Sequence, residues 1–438
     1  MLKHIFTNSA GILLSRILGF LRDLLTASIL GANVYSDIFF IAFKLPNLFR
    51  RIFAEGAFTQ AFIPAYAKSK QKIQFSSIIF IQFFAFLILL SIVVTLFSSF
   101  ITKIIAIGFS DDIIQLASPL VAVCFYYLPL IFAVTFLAAL LQYKHHFATT
   151  SFSTALLNIA LIVSLLISKN LQKDQIVYYM SWGVLIGGVL QVLVHIIAIK
   201  TKQIKFLTLK KKSKKIHNSL KRFYKTFTPA VFGSSAAHIA AFLDTWLASF
   251  LATGTISYLY YANRVFQLPL ALFAIATSVA LFPTIAKAIK NNDENSALKD
   301  LRKAFIVLSI LLGVATLIGI IFSKEIVWLL FERGAFNCSD TAITSKVLIM
   351  YLIGLLPFGL SKIFSLWLYS HEKQYIAAKI TMKSLLWNII LSLIFIIPYG
   401  AVGLALASSL SGFILFYYTL KEFGFTKFLN KIVTKIPI

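Results

Sequence analysis

From Ser76 to Ile101 the chain reads SSIIFIQFFAFLILLSIVVTLFSSFI, without one charged residue. An apolar run longer than about 20 residues crosses the bilayer core as a helix, because only a helix or a closed barrel satisfies its own backbone hydrogen bonds in lipid. Comparable runs recur along the sequence. Hydrophobic residues make up 59% of the chain and charged residues 13%, with a mean hydropathy of +0.88. A soluble domain carries roughly a quarter charged residues. With 43 Phe residues, apolar side chains must form the outer surface as well as the core. The chain reads as an all-α polytopic membrane protein.

Hydropathy divides it into about twelve spans, at 9–31, 36–66, 76–106, 113–142, 147–168, 176–199, 226–252, 256–286, 303–323, 341–369, 376–397 and 401–420. Loops after even-numbered spans hold the basic residues: Lys68, Lys70 and Lys72, then Lys144, then the run from Lys200, then Lys287 to Lys303. Loops on the other side, such as GANVYS and GFSDD, are poor in them. The positive-inside rule therefore places both termini in the cytoplasm. The N-terminal stretch has Arg16, Arg22 and Asp23 inside its apolar segment and no small-residue cleavage site. It reads as a retained first span, not a signal peptide.

The formal net charge is +26, which in a soluble protein would suggest nucleic acid. Here the densest basic run, KTKQIKFLTLKKKSKKIHNSLKRFYK, suits the anionic inner leaflet. No aromatic-basic recognition module accompanies it. Cys124 and Cys338 are far apart in sequence, which argues against a disulfide or a metal site.

The chain also repeats itself. DLLTASIL from Asp23 returns as DTWLASFL from Asp244, FKLP ending at Pro46 returns as FQLP ending at Pro269, and LLNIAL pairs with LWNIIL. These pairings lie roughly 220 to 230 residues apart in one consistent order. An even number of spans separates the copies, so the halves share one orientation, as in several secondary transporters. The expected layout is an N-terminal lobe at 1–200, a basic linker at 201–225, a C-terminal lobe at 226–421 and a basic tail at 422–438. Pro46 and Pro269, Pro64 and Pro283, and Pro129 and Pro357 occupy matching places, where each frees a carbonyl and allows a bend.

Charges inside the spans cost about 2.5–3.5 kcal/mol each and must face protein or water. At about 100° per residue, Asp37, Lys44, Arg51 and Glu55 share a stripe of the second span, with Arg51 and Glu55 an i, i+4 pair. These four read as a self-neutralising structural element or gate. Arg16 and Asp23 share a face of the first span, while Arg22 points elsewhere beside Ser15. Arg22, Arg50 and Arg264 are then left without a local carboxylate. Guanidinium stays charged and grips phosphate oxygens in a fork, so this set points to an anionic ligand. The second lobe has Ala236 and Ala237 where the first has Ser15 and Arg16, so the N-terminal lobe should hold most of the anion. Asp244 lacks the arginine that precedes Asp23; a carboxylate without a fixed cation takes up a proton or a small cation. Asn388, Ser392 and Ser408 offer oxygens suited to sodium, though structural hydrogen bonding accounts for each equally well alone.

Enzymatic readings find no support. The chain has no GxxxxGK[ST], no HExxH and no catalytic Cys/His pair in an exposed domain. Transport must draw on a gradient, and no organic cofactor is expected.

SRILGFLRD, SDIFFIAFKLPNLFRRIFAEGAFTQAFIP, GVLQ at Gly188 and YLYYANRVFQLP together resemble the MurJ (MviN) lipid II flippases of the multidrug/oligosaccharidyl-lipid/polysaccharide exporter superfamily. The similarity runs from about Asn8 to Lys421. It implies two parallel-repeat six-helix lobes in a V around a cationic central cavity. That cavity would carry undecaprenyl-diphosphate-linked peptidoglycan precursor from the cytoplasmic to the periplasmic leaflet. Arg16, Arg22, Arg50 and Arg264 match the family's functional arginines, and Ser15, Asp23 and Asp37 fall on matching motif positions. Asp244, Asn388 and Ser408 match a sodium site of some members, with Ser392 where a second carboxylate is expected. Family members usually continue for two further spans, which form a groove for the lipid tail. The partners implied are lipid II, anionic membrane lipids and cell-wall synthesis proteins. A flippase for another polyprenyl-diphosphate glycan, or a non-transporting cell-wall scaffold, are the alternatives.

Overall fold

A computed structural model describes residues 2–50, 58–208 and 216–434, and for 2–9, 230 and 232–241 the backbone alone. Every regular element among the described residues is helical. The chain divides into two compact units, 1–254 and 255–438.

The first unit holds α1 (Leu2–Leu30), α2 (Val34–Phe49), α3 (Thr59–Lys68), α4 (Lys72–Leu96), α5 (Ser98–Ile105), α6 (Asp111–Phe125), α7 (Tyr127–Tyr143), α8 (Ala148–Ser168), α9 (Lys173–Thr201) and α10 (His217–Ala248). Gly31, at φ +77, ends α1 in the left-handed region. Asn33 then caps α2, its side chain accepting from the backbone of Tyr35 and Ser36 while the Ser36 hydroxyl accepts from the Asn33 N–H. That reciprocal box fixes where α2 begins. α8 packs against α1 and α9, and small residues set the spacing. A Cβ on Gly187 of α9 would come within 2.9 Å of the Leu157 Cα on α8. Such close backbone approach is how membrane helices gain packing without a hydrophobic drive.

An aromatic cluster joins α3, α4, α7 and α10 of this unit. Phe58 stacks on Phe62 at 5.2 Å and meets Phe132 at 5.4 Å and Phe223 at 5.8 Å, and Phe83 meets Phe227 at 5.3 Å. Phe223 and Phe227 belong to α10. By compactness α10 goes with the first unit, 1–254.

The second unit holds α11 (Thr255–Pro269), a π-helical stretch at Leu270–Ile275, α12 (Ala276–Lys290), α13 (Glu294–Ile321), α14 (Ser323–Phe331), α15 (Cys338–Ile353), α16 (Leu355–Ser370), α17 (Gln374–Phe423), α18 (Phe425–Phe428) and a terminal π turn at Leu429–Val433. At 50 residues, α17 would run ~75 Å as a straight helix, more than twice a bilayer core. It breaks at Gly400, whose φ of 54° and ψ of −128° are not helical, two residues after Pro398. The break separates the two spans expected at 376–397 and 401–420.

Eight helical stretches among the described residues are long and apolar enough to cross a membrane, with the two halves of α17 counted as one. The expected spans at 9–31, 36–66 and 226–252 run through residues outside those fully described, so this count does not bear on the expected twelve. The repeat has a structural echo as well. Pro46 is followed by π-helical backbone at Arg50, and its counterpart Pro269 by the π-helical Leu270–Ile275.

Candidate functional site

On α1, Arg22 and Asp23 are both buried, at 8% and 2% exposure. The Arg22 Nε and Nη2 donate to Asp23 Oδ1 at 3.1 and 2.6 Å, and Nη1 donates to Asn158 Oδ1 of α8 at 3.0 Å. Asn158 Nδ2 in turn donates to the Ser15 carbonyl at 3.1 Å, so the amide ties the arginine to backbone about two turns earlier on α1. This corrects the pairing expected from helical angles. Asp23 takes Arg22, its neighbour, and Arg16 lies exposed on α1. Adjacent residues diverge by about 100°, but the arginine arm is long enough to fold back along the helix and place two N–H groups on one oxygen. Asn158 supplies the third contact that holds it there. Ser15 is half-buried and enters through its backbone oxygen.

On α2, Asp37 and Lys44 of the expected stripe lie among the described residues. Asp37, 2% exposed, accepts from the Gly254 N–H at 2.6 Å through Oδ2, which fastens the start of α2 to the turn after α10. Lys44 is half-buried and lies close enough to Asp244 of α10 to act on it electrostatically. Arg50 is half-buried at the end of α2 and donates from Nε to Asn47 Oδ1 at 3.2 Å. Arg51 and Glu55 lie outside the described residues.

In the second unit, Arg264 of α11 donates from Nη2 to the Tyr260 hydroxyl at 2.7 Å, and its guanidinium carbon sits 4.8 Å from the centre of the Tyr260 ring. A single aromatic residue one turn away thus offers both a polar tip and a negative face. Asn263 is engaged with Gln267 on the same helix.

The residues assigned to sodium divide between the units. Asp244 belongs to the first; Asn388, Ser392 and Ser408, all on α17, belong to the second. The Asp244 Oδ1 and the Ser392 hydroxyl are buried without a hydrogen-bond partner among the described residues. Asn388 is 4% exposed, Ser408 is half-buried and its carbonyl accepts from the Ser411 hydroxyl. No group of three or more His, Cys, Asp or Glu residues among the described residues is arranged to hold a metal.

Three side chains that position the arginines, Asn158, Asn47 and Tyr260, were not on the expected list. Asn158 has a sequence signal, its pairing with Asn388 in the repeat. Tyr260 has another, its i, i+4 spacing from Arg264.

The family model described as Lipid II flippase MurJ matches residues 26–436. The chain belongs to the MurJ lipid II flippase family. A relative from Helicobacter pylori, a probable lipid II flippase MurJ, is 51% identical over 92% of this chain and 91% of its own length. A probable MurJ flippase from Buchnera aphidicola is 33% identical over 95% of this chain and 82% of its own. Among solved structures, a lipid II flippase MurJ in an inward closed conformation superposes with a TM-score of 0.84 at 28% identity, over 96% of this chain and 89% of that one. A multidrug MATE transporter of the MOP superfamily, facing inward, gives 0.76 at 12% identity over 96% of both chains; that likeness concerns the fold. The chain is thus a multi-pass membrane protein with the exporter fold of this superfamily, and its relatives are transporters and not enzymes.

Proposed function

We propose that the protein moves lipid II, the undecaprenyl-diphosphate-linked peptidoglycan precursor, from the cytoplasmic to the periplasmic leaflet by alternating access. The observation that carries this reading is the set of arginines held on the charged helices of a chain that belongs to this flippase family. Arg22 is fixed by Asp23 and Asn158, Arg50 by Asn47 and Arg264 by Tyr260, so their forks are oriented before a ligand arrives. Preorganised guanidinium groups read the two phosphates, which every lipid-linked precursor of this kind shares. Arg16, exposed on α1, adds to the positive field, and Ser15, Asp23 and Asp37 keep α1 and α2 in place.

The polyprenyl chain stays in lipid while the sugar-peptide headgroup crosses. Both termini and the basic loops face the cytoplasm of the inner membrane, where anionic lipids and cell-wall synthesis proteins can meet the linker at 201–225. Asp244 and Lys44 supply the coupling element: proton or sodium uptake at the carboxylate competes with the lysine. Asn388, Ser392 and Ser408, later in the same repeat, offer further oxygens to such an ion.

The test uses host cells depleted of the protein, with an added enzyme that cleaves lipid II exposed at the outer face. Depletion is expected to protect the lipid, wild type to restore cleavage, and Arg50→Ala to fail. Unchanged cleavage on depletion would remove lipid II as the obligatory cargo.

A further inference from the structure

A groove of about 440 Å³ lies between the first turns of α8 and the last turns of α9. Binding sites for small ligands span ~300–1,000 Å³. Phe152 and Leu156 of α8 form one wall, Val194 and Ile197 of α9 the other, and His146 and Lys202 stand at the rim. Phe152 and Ile197 are exposed, so the groove opens on the outer flank of this helix pair, where lipid has access.

The charge around it has one sign. Lys144, Lys200, Lys202 and Lys205 gather at this end of the two helices. Asp174, at the opposite end of α9, is the one acidic residue between Asp112 and Asp244. This is also the end that the loop-charge bias assigns to the cytoplasmic leaflet. Beneath the wall, His195 is fully buried between the lining residues Val194 and Ala198, its Nδ1 2.7 Å from the Gln191 carbonyl. Its Nε2 has no hydrogen-bond partner among the described residues, and the ring lies near enough to His146 for the two to interact electrostatically.

We propose that this groove holds one acidic phospholipid, with an acyl chain between Phe152, Leu156, Val194 and Ile197 and its phosphate against His146 and Lys202. Apolar walls alone would accept any lipid. The lysines discriminate, because a zwitterionic headgroup brings a cation into a field that is already positive. Basic pockets between spans on the cytoplasmic side are suited to anionic headgroups.

Native mass spectrometry of the purified full chain, with phosphatidylglycerol or phosphatidylcholine added, tests this. One phosphatidylglycerol is expected to remain bound at collision energies that strip phosphatidylcholine. Lys202→Ala should weaken that binding roughly fivefold, and Ala198→Trp, which fills the groove, should abolish it. Lys173→Ala, at the far end of α9, should leave it unchanged. Lys202 is exposed, so its replacement tests the site without loss of folding. Equal retention of the two lipids, or full binding by Lys202→Ala, would overturn the assignment. So would displacement of phosphatidylglycerol by equimolar undecaprenyl phosphate, which would give the groove to the carrier lipid instead.

Discussion

Asp23 and Asp244 occupy equivalent places in the repeat, at the head of DLLTASIL and of DTWLASFL, yet they are held in opposite ways. Asp23 follows Arg22 and receives two of its N–H groups, with Asn158 closing the set from α8. Asp244 follows Leu243, feels Lys44 from another helix, and keeps Oδ1 without a hydrogen-bond partner among the described residues. A pair formed by chain neighbours moves as one body and survives any rearrangement of helices. A pair formed across helices is made or broken when those helices shift. The first carboxylate is therefore locked to its own helix, and we propose that the second senses conformation or an entering cation.

Breaking the lock should have the largest effect. Arg22→Met takes from the buried Asp23 carboxylate the guanidinium that balances it, and breaking a buried ion pair costs about 3–5 kcal/mol. The variant should melt well below wild type in detergent. Arg22→Met with Asp23→Leu should regain most of that stability while precursor exposure in cells stays lost, because the apolar pair packs but carries no guanidinium. If the single variant melts like wild type, the pair is not a lock.

The cross-helix pair should show a smaller but measurable coupling. A double-mutant cycle on Lys44→Met and Asp244→Asn is expected to give about 1–3 kcal/mol, read from thermal unfolding. Additive effects within error would separate the two residues. Leu243→Arg sharpens the same contrast, since it gives Asp244 the neighbour that Asp23 has. Transport by that variant should lose its dependence on sodium or on the proton gradient; a retained dependence would place coupling elsewhere.

How much of this was legible in the sequence follows from the range of the interactions. The helical class, the long spans and the break after Pro398 were readable, since apolar runs and Pro-Gly punctuation are local signals. The residues around Arg22 were identified but wrongly paired. A helical wheel treats side chains as radial spokes and ignores an arginine arm that lies along the surface. Asn158 stood in the repeat, yet its partner is 136 residues away, and no local pattern reports such a contact. The Asp37 bond to Gly254 is hidden for the same reason. Asp244 stands out in the sequence as the carboxylate without a preceding arginine, but Lys44 comes near it only through the packing of α2 near α10.

Tyr260 offers the finest test, because it anchors Arg264 by two different means. The hydroxyl accepts a charge-assisted hydrogen bond at 2.7 Å, and the ring face lies 4.8 Å from the guanidinium carbon. Tyr260→Phe removes the first and keeps the second. For a half-buried pair the loss should be about 0.5–1.5 kcal/mol, seen as a few-fold fall in precursor exposure. Tyr260→Leu removes both and should fall further, by another 0.5–1 kcal/mol or about twofold to fivefold. A carboxylate anchor such as Asp23 offsets the charge it holds, whereas a neutral phenol fixes the fork without cancelling it. Tyr260→Glu should therefore be worse than Tyr260→Leu despite preserving a partner for the arginine. If the glutamate variant exports precursor better than the leucine one, orientation outweighs charge at Arg264, and the contrast between the two anchors loses its meaning for the anion.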